Sequence, residues 1–428
     1  MSQEVNLAPR LSYSNVLVSS ENKLVYLLLE ISPSGQTSFA EAALNMALVL
    51  DKSGSMYAAE KIDYVKQAVQ YVVDQLRPED LVSIIAFADR ARVMIPSQQI
   101  FDKGGVKRMI QRIDDVDVGG GTEMNRGIRA AIDEVEKHLA PDKVNHVVLL
   151  TDGLTLHEDE CIDRARGGTS RGLSFSTMGV GSDFNEKLLI RIAELSGGKS
   201  YYIDDPRDIP QIFAQELRGV QSVVVQNIQL KLKVSKDIQV RRVFKVKPLI
   251  NDMGAPALSD RTMTVKLSDL QKNEPQSILC ELVLPSRPSG TFRIAQVQVA
   301  YDILSQRRAG DTVSADVVVN YTSDAALAGM VDGEVMNIVD LVSVFKQQTK
   351  ALELVQSGET GKATQLLRSA ATTLLDRGQS DLANTFKEEA ARLEKGGTAS
   401  AAGTKKLEYG TRKLTQLLDE TMIQNPKP

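Results

Sequence analysis

Tryptophan is absent from this 428-residue chain, cysteine occurs twice and histidine three times. So little cysteine excludes a disulfide-built scaffold and a cysteine-rich zinc module. Cys161 and Cys280 fall in different expected domains, so each reads as a small buried hydrophobe in a reducing compartment. His138, His146 and His157 have neither zinc-ligand spacing nor a nucleophile signature, and one or two of them are expected at helix or strand ends. No run approaches the roughly 18 uncharged apolar residues of a transmembrane helix, so no membrane span is expected. Charge of one sign is also lacking: 51 Lys and Arg against 55 Asp and Glu leave −4, which argues against nucleic acid as the main partner. The opening MSQEVNLAPRLSYSN has no signal-peptide pattern, and the expected address is the cytoplasm. A mature fragment whose signal had been removed would read the same way.

The chain does have three differently patterned regions. Residues 41–215 alternate strands and helices: NMALVLD (45–51), LVSIIAFA (81–88), HVVLLTD (146–152) and LSFSTMGVG (173–181) are apolar runs suited to a buried parallel sheet. Between them, Ile62, Val65, Val69, Val72 and Leu76 mark a helix that Pro78 closes. Further helices are expected near 104–113, 123–139 and 185–196, and a last strand at 199–203. This alternation predicts a doubly wound α/β domain.

Residues 216–322 change period. NIQLKLKV (227–234) and TMTVKL (262–267) alternate apolar with polar, and QVRRVFKV, SILCELVL, FRIAQVQVAYDI and VSADVVVNY follow between turn residues. Period two with short loops predicts an antiparallel β-sandwich. KLVYLLLEI (23–31) is an apolar strand without a local mate, and an unpaired apolar edge is an aggregation hazard. Residues 1–40 therefore read as part of the same sandwich, with the α/β domain inserted into it. Residues 323–428 read as helical. Val335, Ile338, Val339, Val342 and Phe345 mark one face, and Leu366, Leu367, Ala370, Leu374 and Leu375 another that Gly378 ends. Ser380 is placed to cap a helix carrying Leu382, Phe386 and Leu393, and GGTASAAGT (396–404) reads as a flexible linker before a final helix. GETGKAT (358–364) resembles a phosphate-binding loop but has Gln356 and Ala363 where glycine and a hydroxyl belong.

Three fragments carry the chemistry: DKSGSM (51–56), GGGTEMN (119–125) and TDG (151–153). Two lie where buried strands run out, the edge at which open α/β sheets bind ligands. Their hydroxyls and carboxylates, from Asp51, Ser53, Ser55, Thr122 and Asp152, form an oxygen-only set suited to a hard cation, Mg²⁺ first and Mn²⁺ or Ca²⁺ after it. Alone, Asp-x-Ser-x-Ser is usually a helix cap or turn. Lys52, between the ligands, reads as a solvated charge, and Asp183 as a cap for the helix at 185–196.

The strand leading into DKSGS, the glycine-led Thr122 and the strand ending in TDG, in that order, resemble the metal-ion-dependent adhesion site of von Willebrand factor A domains, over residues 41–215. More loosely, the flanking regions look like bacterial intracellular members of that family. The resemblance implies that Ser53, Ser55 and, in the ligand-competent form, Thr122 ligate the metal directly. Asp51 and Asp152 would act mainly through waters or by orienting the hydroxyls. A shell of neutral oxygens leaves the ion much of its charge, and an open position then attracts an Asp or Glu of a protein partner. The expected function is a non-enzymatic, metal-dependent adaptor or scaffold. One alternative is a structural protein that self-associates through the same site. The other is a haloacid-dehalogenase-like phosphatase, which Ser53 disfavours because that chemistry needs a second acid at this position.

Overall fold

The computed structural model describes residues 4–19, 21–34 and 41–416, which divide into two compact units. One unit comprises the described residues within 39–226 together with 303–309; the other comprises the described residues within 1–38, 227–302 and 310–428. The chain begins with strands β1 (Val5–Leu11), β2 (Asn15–Leu17) and β3 (Lys23–Pro33). It then enters the α/β unit, where β4 (Ala43–Asp51) leads through a short 3₁₀ segment into α1 (Lys61–Gln75). There follow β5 (Leu81–Phe87), β6 (Ala91–Gln99), α2 (Lys103–Gln111), α3 (Met124–Glu136) and β7 (Lys143–Thr151). The unit continues with α4 (Glu158–Ser170), β8 (Ser174–Val180), α5 (Glu186–Ser196), β9 (Ser200–Ile203) and α6 (Ile209–Gln221).

The sheet order is β6-β5-β4-β7-β8-β9, parallel except for β6. The chain leaves β4 toward β5 and later crosses to β7 on the other side, so the order reverses at β4. Crevices at such reversals, beyond the strand carboxyl ends, are where these sheets accept ligands. β4 is central because it is apolar on both faces. Leu44, Met46, Leu48 and Leu50 join a core with α1 and α6, including Ile62, Val65, Phe213 and Leu217. On the other face Gly127 brings α3 so near that a Cβ there would lie 2.9 Å from the Val49 side chain. Three elements, β6, α4 and α6, escape the sequence pattern. β6 is a half-exposed edge strand containing Pro96, tolerable at an edge where a backbone donor is dispensable. α4 buries only Cys161, Ala165 and Gly168, too narrow a stripe to register as a helix. α6 runs across residue 215 without interruption to Gln221.

The other unit contains β10 (Val223–Val234), which starts in the α/β unit, then β11 (Gln239–Lys247), β12 (Asn251–Gly254), β13 (Thr262–Lys266) and β14 (Leu270–Gln271). β15 (Gln276–Leu284), β16 (Gly290–Ile303) and β17 (Arg308–Thr322) complete its strands, before α7 (Ala325–Ala328), α8 (Gly333–Gln356), α9 (Thr360–Asp376), α10 (Ser380–Glu394) and α11 (Ala401–Arg412). One sheet runs β1-β3-β15-β11-β12; the other runs β13-β10-β16-β17-β2, with β14 on β10. The strand read as lacking a local mate has one after all, since β1 pairs antiparallel with β3; its other neighbour is the distant β15, with Leu29 opposite Ile278 and Leu27 opposite Cys280. β2 departs from the antiparallel pattern by pairing parallel with β17.

The β1-to-β12 sheet is buried on both faces. Leu28, Phe244, Val246, Ile250 and Leu279 pack into a core with α8 to α11, through Val342, Phe345, Leu367, Leu374 and Phe386. The residues alternating with them, Val25, Leu27, Leu29, Ile31, Ile278, Cys280 and Leu282, are equally buried. That is why SILCELVL reads as a continuous apolar run. Its one charge, Glu281, meets Lys346 of α8. The helices are also tied down by their ends: Asp332 caps α8 by accepting from Glu334 N and Val335 N, and Arg10 of β1 forks onto the same carboxylate at 2.9 Å.

Three local expectations are corrected. Ser380 is the first residue of α10 rather than its cap, which falls on Gln379. Residues 396–404 are not simply a flexible linker. Ser400 caps α11 through Gly403 N, and buried Glu389 accepts from Ser400 N at 2.9 Å and Ser400 Oγ at 2.6 Å. A buried carboxylate must find donors, and this loop supplies them. At α5 the cap is Asn185, which accepts from Leu188 N at 3.1 Å, while Asp183 accepts from the Ser182 hydroxyl.

Beneath the α/β sheet lies a buried pair the sequence did not announce. His146 Nε2 of β7 is 2.9 Å from Glu216 Oε1 of α6, and the Tyr201 hydroxyl donates to Glu216 Oε2 at 2.6 Å. Burial raises the Glu216 pKa, but the hydrogen bond and charge of His146, aided by Lys199 and Ser176, outweigh it and hold the value at about 2.

Two predictions follow from this packing. Truncating Leu29, fully buried in β3, leaves a cavity on the sandwich side of the sheet; Leu29→Ala should cost about 2–5 kcal/mol in urea denaturation, and a loss under about 1 would contradict the placement. Glu216 is depressed from its ordinary 4.5, so its stabilisation is complete above that pH and is lost as pH falls toward about 2. Acid unfolding monitored by circular dichroism should therefore lose pH dependence within this window in Glu216→Gln, and an unchanged acid limb would refute the pairing.

Candidate functional site

Parallel pairing of β4 with β7 sets Leu50 beside Leu150, so Asp51 and the Thr151–Asp152 pair emerge together at the carboxyl edge. Asp51 is fully buried and both its oxygens are engaged: Oδ1 accepts from Ser53 N at 2.7 Å and Oδ2 from the Thr151 hydroxyl. That first bond folds DKSGS back on itself. The Ser53 and Ser55 hydroxyls then lie 3.0 Å apart, and Ser55 Oγ donates to Asp152 Oδ1 at 2.6 Å. Ser53 and Asp152 are buried, while Ser55 is exposed. The structure thus links Asp51, Ser53, Ser55 and Asp152 in one hydrogen-bonded chain.

Thr122 is brought in by backbone clamps on the glycine run. Gly54 N donates to Gly120 O at 3.3 Å and Glu123 N to Ala88 O at 2.8 Å. The Thr155 hydroxyl donates to Thr122 O at 2.9 Å and accepts from Met124 N. A Cβ on Gly153 would come within 3.4 Å of Thr122 Oγ1, so the Thr122 hydroxyl faces the loop that carries Asp152.

Sequence reasoning missed Asp89, just beyond β5. Its carboxylate accepts from Gly120 N at 2.9 Å and Gly121 N at 3.1 Å, and these bonds hold its pKa below the usual carboxylate range. Gly119 has φ of +86°, and a Cβ on it or on Gly121 would collide with this carboxylate. An aspartate just past a strand end, in a domain with a later glycine run, was the available signal. Lys61, the first residue of α1, was also missed: its Nζ lies 2.6 Å from Asp152 Oδ2. Lys52 is not a freely solvated charge, because its Nζ donates to Val116 O at 2.8 Å, fastening the DKSGS loop to the segment before the glycines. Asp183 takes no part in the linked set.

Electrostatically the site holds an excess of buried negative charge. Burial pushes the Asp51 carboxyl up to about 6 against its bonds from Thr151 and Ser53, and Asp152 pushes it the same way. Lys61 is the ammonium that meets Asp152. Hydroxyl and carboxylate oxygens around uncompensated negative charge suit a hard divalent cation, so the residues present fit such an ion. Around them stand large exposed apolar side chains: Tyr57 at 48%, Leu154 at 66% and Leu156 at 65% exposure, on the same loops as Ser55 and Asp152.

Comparison with known proteins agrees with this fold. Residues 333–417 match the family described as the Sll0103-like C-terminal alpha-helical domain. The uncharacterized protein sll0103 of Synechocystis sp. is 27% identical over 429 residues, covering 99% of this chain and 98% of that protein. The YfbK protein of Escherichia coli is 26% identical over 212 residues, 48% of this chain but only 36% of its own length. Among solved structures, a von Willebrand factor type A protein from Catenulispora acidiphila superimposes with a TM-score of 0.77 at 18% identity, covering 96% of this chain and 97% of that one. The ArnB paralog VWA2 from Sulfolobus acidocaldarius gives 0.61 at 17% identity, covering 96% and 98%. At these identities the structures speak for the fold. The family model for the von Willebrand factor type A domain matches residues 45–215, and this part of the chain, with the site at its carboxyl edge, is such a domain.

Proposed function

We propose that Asp51, Ser53, Ser55, Thr122 and Asp152 hold one divalent cation, Mg²⁺ or Mn²⁺, and that this ion binds a carboxylate presented by a protein partner. Domains of this family commonly mediate metal-dependent protein interactions. The observation that carries the reading here is the chain from Ser53 through Ser55 to Asp152, beside Thr122 and above buried Asp51, at the point where strand order reverses. Ser53, Ser55 and Thr122 are the direct ligands, and the buried carboxylates orient the hydroxyls and supply charge. Asp51 suits that role rather than a nucleophile's, since both its oxygens are occupied and solvent does not reach it. An ion bound to neutral oxygens and water keeps most of its positive charge, which draws an anionic oxygen into the open position.

Tyr57, Leu154 and Leu156 would surround that contact. Apolar side chains that exclude water strengthen a charge-assisted bond, so the ion acts as a hot spot inside a wider interface. The protein is then an adaptor whose grip is switched by metal.

Calorimetry on the EDTA-stripped chain should find one Mg²⁺ or Mn²⁺ bound. Asp51→Ala should weaken binding about 10–100-fold without loss of the sheet's circular dichroism signal. Partners recovered with Mg²⁺ should be lost in EDTA and from Thr122→Ala, and changing one partner Asp or Glu to its amide should reproduce that loss without adding to it. Equal metal affinity in wild type and Asp51→Ala would overturn the assignment.

A further inference from the structure

We infer that Lys61 is a built-in counter-cation of the metal site, which competes with the divalent ion for the charge of Asp152 and so sets the site's metal affinity; the inference rests on the metal-site reading above. Lys61 Nζ lies 2.6 Å from Asp152 Oδ2, while the other oxygen of this carboxylate takes the Ser55 hydroxyl. The lysine side chain is only 16% exposed and that of Asp152 is fully buried, so the pair is shielded from the screening that makes most surface ion pairs weak.

Local forces do not explain this placement. Lys61 is the first residue of α1, where the positive end of the helix dipole disfavours a cation. The approach is strained as well: Ala59 and Glu60 have φ of 52° and 56°, two successive non-glycine residues in the left-handed region. The chain thus adopts an unfavourable entry to α1 that ends with an ammonium against a buried aspartate. Unfavourable local choices that converge on one contact are expected where the contact has a use.

The use follows from charge. Without metal, Lys61 neutralises Asp152 and spares the fold a second unopposed carboxylate beside Asp51. A divalent ion held by Ser53, Ser55 and Thr122 draws on the same carboxylate, directly or through water, and two cations at one carboxylate repel each other. Ion binding is therefore weakened by the work of loosening the lysine. The site is stable when empty, and metal binds less tightly than the ligand set alone would allow.

The test uses the full chain stripped with EDTA and titrated with Mg²⁺ and with Mn²⁺ in wild type, Lys61→Met, Lys61→Gln, Asp152→Asn and the double variant Lys61→Met/Asp152→Asn. Both lysine variants should bind metal at least tenfold more tightly than wild type. Each should melt lower than wild type in EDTA, and the gap should close at saturating Mg²⁺, which shows that they fold. In the Asp152→Asn background the lysine change should alter affinity less than twofold, a result that a merely structural lysine would not produce. If wild type binds metal and the lysine variants bind equally or more weakly, the inference falls while the metal-site reading stands. Binding by the lysine variants alone supports the inference in its strongest form, and binding by none of these proteins overturns both readings.

Discussion

Burial of two carboxylates at the carboxyl edge of a parallel sheet is the constraint around which the α/β unit is arranged. Asp51 and Asp152 are 0% and 1% exposed, and a buried charge is tolerated only when donors surround it. Each nearby loop supplies some: Ser53 N and the Thr151 hydroxyl to Asp51, the Ser55 hydroxyl and Lys61 to Asp152. Satisfying the carboxylates folds the loops, and the folded loops bring the hydroxyl and carboxylate oxygens together. Asp89 does for the glycine run what Asp51 does for DKSGS, drawing two backbone donors around one carboxylate. A charge-rich rim is thereby preorganised by the fold itself.

The other unit rests on a different constraint. Its β1-to-β12 sheet has two apolar faces, and a sheet apolar on both sides needs two covers. Helices α8 to α11 provide one of them, packing Phe345, Leu367 and Phe386 against Phe244 and Leu279. The bond from Ile250 N to Arg412 O and the fork of Arg10 on Asp332 tie chain ends into this arrangement. β3 and β15 are separated in sequence by the whole α/β unit, so their pairing closes a long loop. Its entropic cost grows only slowly with length, which is why so large an insertion is compatible with a stable sheet.

Legibility in the sequence followed the strength of local pattern. β4, β5, β7 and β8 were visible because buried parallel strands are apolar at every position, and β10 because its exposed lysines alternate with Ile228, Leu230 and Leu232. The α4 helix and the β6 edge were not, since one buries three small residues and the other is half exposed. Gln379 and Asn185, rather than Ser380 and Asp183, took the cap positions because a shift of one or two residues in helix start lies below what composition can resolve. The segment 396–404 read as a linker because nothing nearby in sequence announces that Glu389 is buried and in need of donors.

By itself, the sequence determined the α/β alternation, the period-two sandwich and the helical end, and it offered three fragments that carry Asp51, Ser53, Ser55, Thr122 and Asp152. Each element and each fragment is carried by pattern along a short stretch of chain, where residue type and geometry are directly coupled. Only the tertiary structure decided which charges share one environment. It set Lys61 on Asp152, Asp89 on the glycines and His146 on Glu216, pairs whose members are 91, 31 and 70 residues apart and whose local surroundings predict solvated or unremarkable roles. The energy of a buried charge depends on what surrounds it in space, and that information exists only once the strands have found their neighbours.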